Sequence, residues 1–123
     1  MKLDELYTTD LHDAGAEVRI LDGEGNETDL YITVVGMDSK AFRAHTKRYQ
    51  KAYLESLREK KDFSEEEMTV RGLVDCTLSW RGVEEKFSKK LCSELYSKAP
   101  YIRDQIDNFM GDRANFTKAK PKK

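Results

Sequence analysis

Two histidines, two cysteines and one run of three glutamates are the side chains best suited to acid–base, nucleophilic or metal chemistry in this sequence. His12 falls in a Gly- and Asp-containing stretch that reads as a loop, and His45 on the flank of a predicted helix, each without a second histidine nearby. Zinc needs ligands at short fixed spacings, and the sequence has neither a His-x-x-x-His nor a Cys-x-x-Cys pair. Cys76 and Cys92 lie among Val74, Thr77, Leu91 and Leu95, where a thiol behaves as a small buried apolar group. Glu65, Glu66 and Glu67 follow Ser64 and suit a helix's first turn, whose dipole favours carboxylates. Asp22-Gly23-Glu24-Gly25 leads into a strand and is flanked by acids that repel phosphate, so it fails both as a P-loop and as a dinucleotide fingerprint. These residues predict no enzyme, no cofactor and no bound metal.

The elements that would position any site change period near Gly36. Ala16, Val18 and Ile20 alternate with Glu17 and Arg19, which describes a strand with one buried face. Asp22 to Asn26 supplies a reversal, and Asp29 to Val35 is a second strand rich in β-branched and aromatic residues. Leu30, Ile32 and Val34 are its core-facing set. Tyr31, Thr33 and Val35 leave the other face half polar and mark a candidate edge for self-association, since a lone hairpin needs helices or another copy's strands to cover it.

Beyond Gly36 the period is 3.6. Asp38 or Ser39 caps a helix running to about Lys61, with Phe42, His45, Tyr49, Ala52, Tyr53 and Leu57 on one face. Ser64 and Glu67 form a capping box for a second helix that carries Met68 through Trp80 and stops near Gly82. Val83, Phe87, Leu91 and Leu95 step by four, with Ser88 as cap, and end before Pro100. A last helix follows, with Ile102, Ile106, Phe109 and Met110 on one side. The fold class expected is α+β: an N-terminal β-hairpin or small antiparallel sheet, then about four helices. The expected organisation is one domain over residues 1–117 and a disordered basic tail over 118–123.

The chain has 123 residues, 38% hydrophobic and 37% charged, with twelve aromatics among Phe, Tyr and Trp, which is enough for one core and argues against extended disorder. No apolar run approaches the roughly 20 residues of a membrane span, and Met1 to Asp10 lacks a signal peptide's apolar centre. A protein of a reducing cytoplasm, away from membranes, is expected. Residues 1–35 hold two bases and nine acids, a charge of −7, while residues 36–123 hold twenty bases and fourteen acids, a charge of +6. Two such sections can attract within one chain or between neighbouring copies, so a homo-oligomer is expected.

One alternative function follows from the helix over residues 40–61. Lys47, Arg48, Lys51, Arg58, Lys60 and Lys61 interleave with Tyr49 and Tyr53, as in a small regulatory nucleic-acid-binding domain. A sequence pI of about 6.2, with Glu55 and Glu59 interrupting the bases, argues against nucleic acid as a partner.

A further pattern spans Leu73 to Phe116. Leu73 to Val83 ends in Trp80-Arg81-Gly82-Val83; Phe87-Ser88, Leu91, Leu95-Tyr96 and Pro100 follow; the helix after them closes on Ala114-Asn115-Phe116. A W-x-G-apolar ending, an aromatic-Ser cap, a leucine-rich helix, a proline and a terminal A-N-F, in that order, resemble the tail assembly chaperones of long-tailed (siphovirus) bacteriophages. The sequence departs from that pattern in the short Glu84-Glu85-Lys86 link, where a longer Gly- and Asp-containing loop is expected.

The resemblance implies a non-enzymatic assembly factor of the host bacterial cytoplasm that is not part of the mature virion. Such proteins coat the long helical tape measure protein, keep it soluble and help recruit the tail tube protein, commonly through a longer form made by ribosomal frameshifting. In this sequence the implied partner-binding residues are Trp80, Phe87, Leu91 and Phe116. Trp80 is either an interface anchor or a core residue, and Phe116 either staples the last helix or meets a partner.

Overall fold

The computed structural model describes residues 1–117; the predicted basic tail over 118–123 lies outside the described residues. After a 3₁₀ turn over Leu3–Leu6 the order is α1 (Thr9–Ala14), β1 (Ala16–Leu21), β2 (Glu27–Val34), α2 (Lys40–Glu59), α3 (Glu65–Asp75), β3 (Thr77–Arg81), α4 (Lys89–Lys98), α5 (Pro100–Met110) and α6 (Ala114–Thr117). The class is α+β, as expected, with a three-stranded antiparallel sheet in the order β1-β2-β3.

The hairpin forms where alternation and turn chemistry place it. Asp22 Oδ1 accepts from the Glu24 and Asn26 N–H groups at 2.9 and 3.0 Å, and these bonds hold its carboxyl below the usual range. Val18 then sits opposite Ile32, and Ala16 opposite Val34.

Two expectations are corrected. The helix beginning at Glu65 stops at Asp75 rather than near Gly82, and Thr77 to Arg81 is a strand paired with β2, Ile32 facing Trp80 and Val34 facing Thr77. Met68 to Trp80 also fits a helical period, but Thr77 and Trp80 suit a pleated surface, and pairing with a distant strand overrides local preference. The stretch around His12 is a short helix, not a loop.

The same pairing overturns the proposed self-association edge at Tyr31, Thr33 and Val35. β2 is the central strand, so Tyr31 is flanked by Arg19 and Arg81, and Thr33 by Glu17 and Ser79. Val35 is buried and donates its N–H to Cys76 O at 2.9 Å. The outer strands are β1 and β3. On β1 the Gln105 side chain covers the last residue, its Oε1 accepting from Leu21 N–H and its Nε2 donating to Leu21 O, each at 2.8 Å.

The sheet's inner face carries Ile20, Ile32 and Val34 onto Leu73 and Val74 of α3, Cys92 and Tyr96 of α4, and Ile106 and Met110 of α5, all buried. Each such side chain contributes about 1.5–3 kcal/mol by leaving water. A polar chain runs through the core beneath the sheet. Thr77 Oγ1 spends its only hydrogen on Leu73 O at 2.7 Å, so the Tyr96 hydroxyl, 2.8 Å away, donates to the threonine. The outer face is polar: Tyr31 lies between the guanidinium groups of Arg19 and Arg81, and Arg81 forks onto Glu17 at 2.7 and 2.8 Å.

Serines start three helices as expected: Ser39, Ser64 and Ser88 accept from Phe42, Glu67 and Leu91 N–H groups at 3.1, 3.2 and 3.1 Å. Pro100 opens α5 where a missing N–H costs nothing. α2 touches the rest along one side, through α3 and the end of α1, and Ser56 is its one buried residue.

Candidate functional site

Three of the four partner-binding residues predicted from sequence converge at the sheet's β3 side. Trp80 projects from β3 on the inner face, next to Ile32. Phe87 stands edge-on to the indole, centroids 5.1 Å apart at 90°, and Trp80 Nε1 donates to Glu85 O at 2.8 Å. That bond ties the 82–86 link to the strand. Gly82 permits the turn: its φ of +93° belongs to the left-handed region, and a Cβ there would run into Asp29 O. Ser88 then begins α4 in a direction that brings Leu91 and Leu95 to the same side. Lys89 reinforces the corner by donating to Val74 O, at the end of α3, and to Thr77 O, at the start of β3, at 2.9 and 2.8 Å.

The result is an open groove of about 290 Å³, its apolar lining made by Leu30, Trp80, Val83, Leu91 and Leu95. Glu85, Glu94 and Lys98 complete it. Lys98 donates to Glu94 at 2.8 Å one helical turn away, which holds the Glu94 carboxyl below its usual range. A second, larger cavity of about 570 Å³ between α3 and α4 is lined mainly by Ser, Glu, Arg and Asp side chains. An apolar groove with a few polar groups at its margin is suited to receiving apolar side chains.

Leu30, Val83 and Leu95 belong to this groove and were not singled out as partner-binding from sequence. The signal was the step of four from Val83 to Leu95. It reads as one helix face, whereas the structure places Val83 and Phe87 before α4 and only Leu91 and Leu95 on it. Phe116 is elsewhere. It is buried beneath α1, stacked on His12 at 5.1 Å and edge-on to Phe109 at 5.6 Å. That burial makes it the staple of the last helix and removes it from the partner-binding set.

The chemistry-bearing side chains are built into packing. His12 is fully buried; its Nδ1 accepts from Asp38 N–H at 3.1 Å, which puts the hydrogen of the neutral ring on Nε2, 3.6 Å from Asp38 Oδ2. It joins α1, the start of α2 and α6. His45 is half-buried between Phe42 and Tyr49, and desolvation, then nearby Arg48, lowers its pKa. Cys76 and Cys92 are free thiols in the core; burial pushes Cys76 up to about 12 and raises Cys92 also. Among the described residues no group of three or more His, Cys, Asp or Glu side chains could hold a metal ion.

On α2, Arg48 is paired with Asp75 at 2.9 Å and Glu59 with Lys61, just past the helix, at 3.3 Å, while Lys47, Lys51 and Arg58 make no ion pair among the described residues. No described helix is long and apolar enough to cross a membrane. Comparison of the chain with protein-family models, with curated proteins and with solved structures gives no match.

Proposed function

We propose that this chain is a non-enzymatic tail assembly chaperone of a long-tailed bacteriophage, acting in the host cytoplasm on the tape measure protein and absent from the finished virion. The observation that carries the reading is the coincidence of two features. Trp80 and Val83 of the W-x-G-apolar ending and Leu91 and Leu95 of the leucine-rich helix, part of the pattern on which the family resemblance rests, line the Trp80 groove. An extended helical chain with an apolar seam aggregates when bare, and a groove of this kind shields the seam by taking in its side chains. Many copies in a row need only weak individual contacts, because each bound copy raises the effective concentration of the next. Recruitment of the tail tube protein through a longer, frameshifted form belongs to the same proposal, and a slippery heptamer in the gene's last codons would mark it.

The test is co-expression with the long open reading frame immediately downstream, followed by co-elution. The wild-type chain is expected to keep that product soluble and to elute with it. Val83 is 44% exposed and lines the groove, so Val83→Glu is expected to leave the fold intact while placing a charge in the apolar floor. Loss of the soluble complex with an unchanged circular dichroism spectrum is the predicted outcome. If the variant still solubilises the product, the groove is not the contact; if the wild type does not solubilise it, the chaperone reading fails.

A further inference from the structure

Two exposed surfaces of this chain are complementary to each other, and neither lies in the Trp80 groove. The first is the N-terminal arm. Leu3, Leu6 and Tyr7 are each more than half exposed, and beside them Asp4, Glu5 and Asp10 outnumber the one basic side chain of the segment, Lys2. The second is the far half of α2. Tyr53, Leu54 and Leu57 are 47%, 56% and 62% exposed; Tyr53 also stands edge-on to Phe63 at 5.5 Å, at the border of the strip. At 100° per residue Lys47, Lys51 and Arg58 fall in a row beside that apolar strip, and none of the three makes an ion pair among the described residues. One surface is apolar and acidic, the other apolar and basic.

The arm does not cover its own chain's helix, and most of it cannot. α1 is fixed at the start of α2, where Lys40 N–H donates to Asp13 Oδ1 at 2.8 Å and Asp38 N–H to His12 Nδ1 at 3.1 Å. Leu54 and Leu57 lie about 22–27 Å further along the helix axis from Ser39, at about 1.5 Å per residue. Leu6 and Tyr7 are no more than six residues from His12, a reach of about 20 Å even fully extended.

We infer that the arm of one copy docks on the α2 strip of the next, a head-to-tail contact between two different patches of the same chain. Leucines and Tyr7 meet Tyr53, Leu54 and Leu57, and the arm's carboxylates face Lys47, Lys51 and Arg58. A contact between unlike patches leaves one of each unsatisfied at the ends, so it propagates into rings or open rows rather than stopping at a dimer. It uses the −7 and +6 sections of the sequence between copies instead of within one. The inference does not depend on what the groove binds.

Full-length chain is the material for the test, and its mass is followed by light scattering against concentration and salt. Wild type is expected to grow with concentration and to shrink as salt screens the charges. Leu6→Ser/Tyr7→Ser and Leu54→Ser/Leu57→Ser alter only exposed side chains, so circular dichroism should be unchanged. Each is expected to weaken association at least about tenfold. Mixing the two variants should restore a single good contact and give a 1:1 complex that grows no further. A wild type that stays monomeric overturns the inference, as do variants that associate normally or a mixture that fails to pair. A monomer that binds vesicles of anionic lipid through Leu54 and Leu57 would assign the strip to a membrane surface and overturn it as well.

Discussion

At the residue scale, three of the side chains that looked reactive in the sequence, His12, Cys76 and Cys92, are fully enclosed by their neighbours. His12 shows how tightly. Its ring fills the space over Gly36, where a Cβ would run into Nδ1, Cγ and Cε1 together, and the ring has nowhere to go because it is fully buried against Phe116. Gly36→Ala is therefore expected to destabilise by about 1–3 kcal/mol, the usual cost of overpacking a core, measured by denaturant midpoint. Gly72→Ala is the control. It also meets a histidine ring, but His45 is half-buried on α2 and can turn outward, and alanine favours the interior of α3. Its net effect should stay within about 1 kcal/mol. The thiols give a second residue-scale expectation. With Cys76 pushed up to about 12 and both thiols out of solvent, a thiol reagent at mildly alkaline pH should label neither in the folded chain and both after unfolding.

At the scale of elements, the joint between α1, the start of α2 and the segment before α6 depends on one carboxylate. Arg113 forks onto Asp38 at 2.7 and 3.0 Å and holds its carboxyl below the usual range, against a smaller opposing effect of burial, with Arg43 adding a minor effect of the same sign as Arg113. The unfolded chain takes up a proton near pH 4 and the folded chain only at lower pH. Stability from this pair is therefore complete above that range and lost as pH falls through the folded value. Arg113→Gln should lower the melting temperature at neutral pH, and the gap to wild type should close as the solution is acidified below pH 4.

Elements were legible in the sequence where one period held without competition. The alternation in β1 and β2 and the long stripe of α2 are of that kind. β3 was not, because Met68 to Trp80 satisfies a helical period too and only the waiting edge of β2 decides the matter. The groove was half legible for the same reason: Trp80 and Leu91, and Phe87 that packs on the indole, stood out by type, while Leu30 and Val83 join the lining only through the sheet and the Gly82 turn.

At the scale of the whole molecule, the distribution of charge separates the two functions that the sequence left standing. A nucleic-acid interface needs phosphate-binding bases on a surface free of acids. α2 offers Lys47, Lys51 and Arg58, but Glu55 and Glu59 share the helix and the acidic end of α1 packs against its start, with Asp13 bonded to Lys40 N–H. A phosphate backbone laid along α2 would therefore meet repulsion at one end; Arg43 donates to Ser39 O and Arg48 to Asp75, which leaves Lys47, Lys51 and Arg58 as the helix bases beyond it without such a partner among the described residues. With about three phosphates neutralised, the logarithm of affinity should fall with the logarithm of salt at a slope of about −3, and at physiological salt binding should be no tighter than the roughly 10⁻⁴ M of weak non-specific contacts. The measurement is fluorescence anisotropy with a labelled duplex and a labelled single strand, repeated over a salt series. The expected result is a weak signal at low salt that disappears on addition of salt, with Leu54→Ser/Leu57→Ser leaving it unchanged because apolar side chains do not bind phosphate. Submicromolar binding with a steep slope, reduced by Lys47→Gln and Lys51→Gln, would transfer α2 to the nucleic-acid reading.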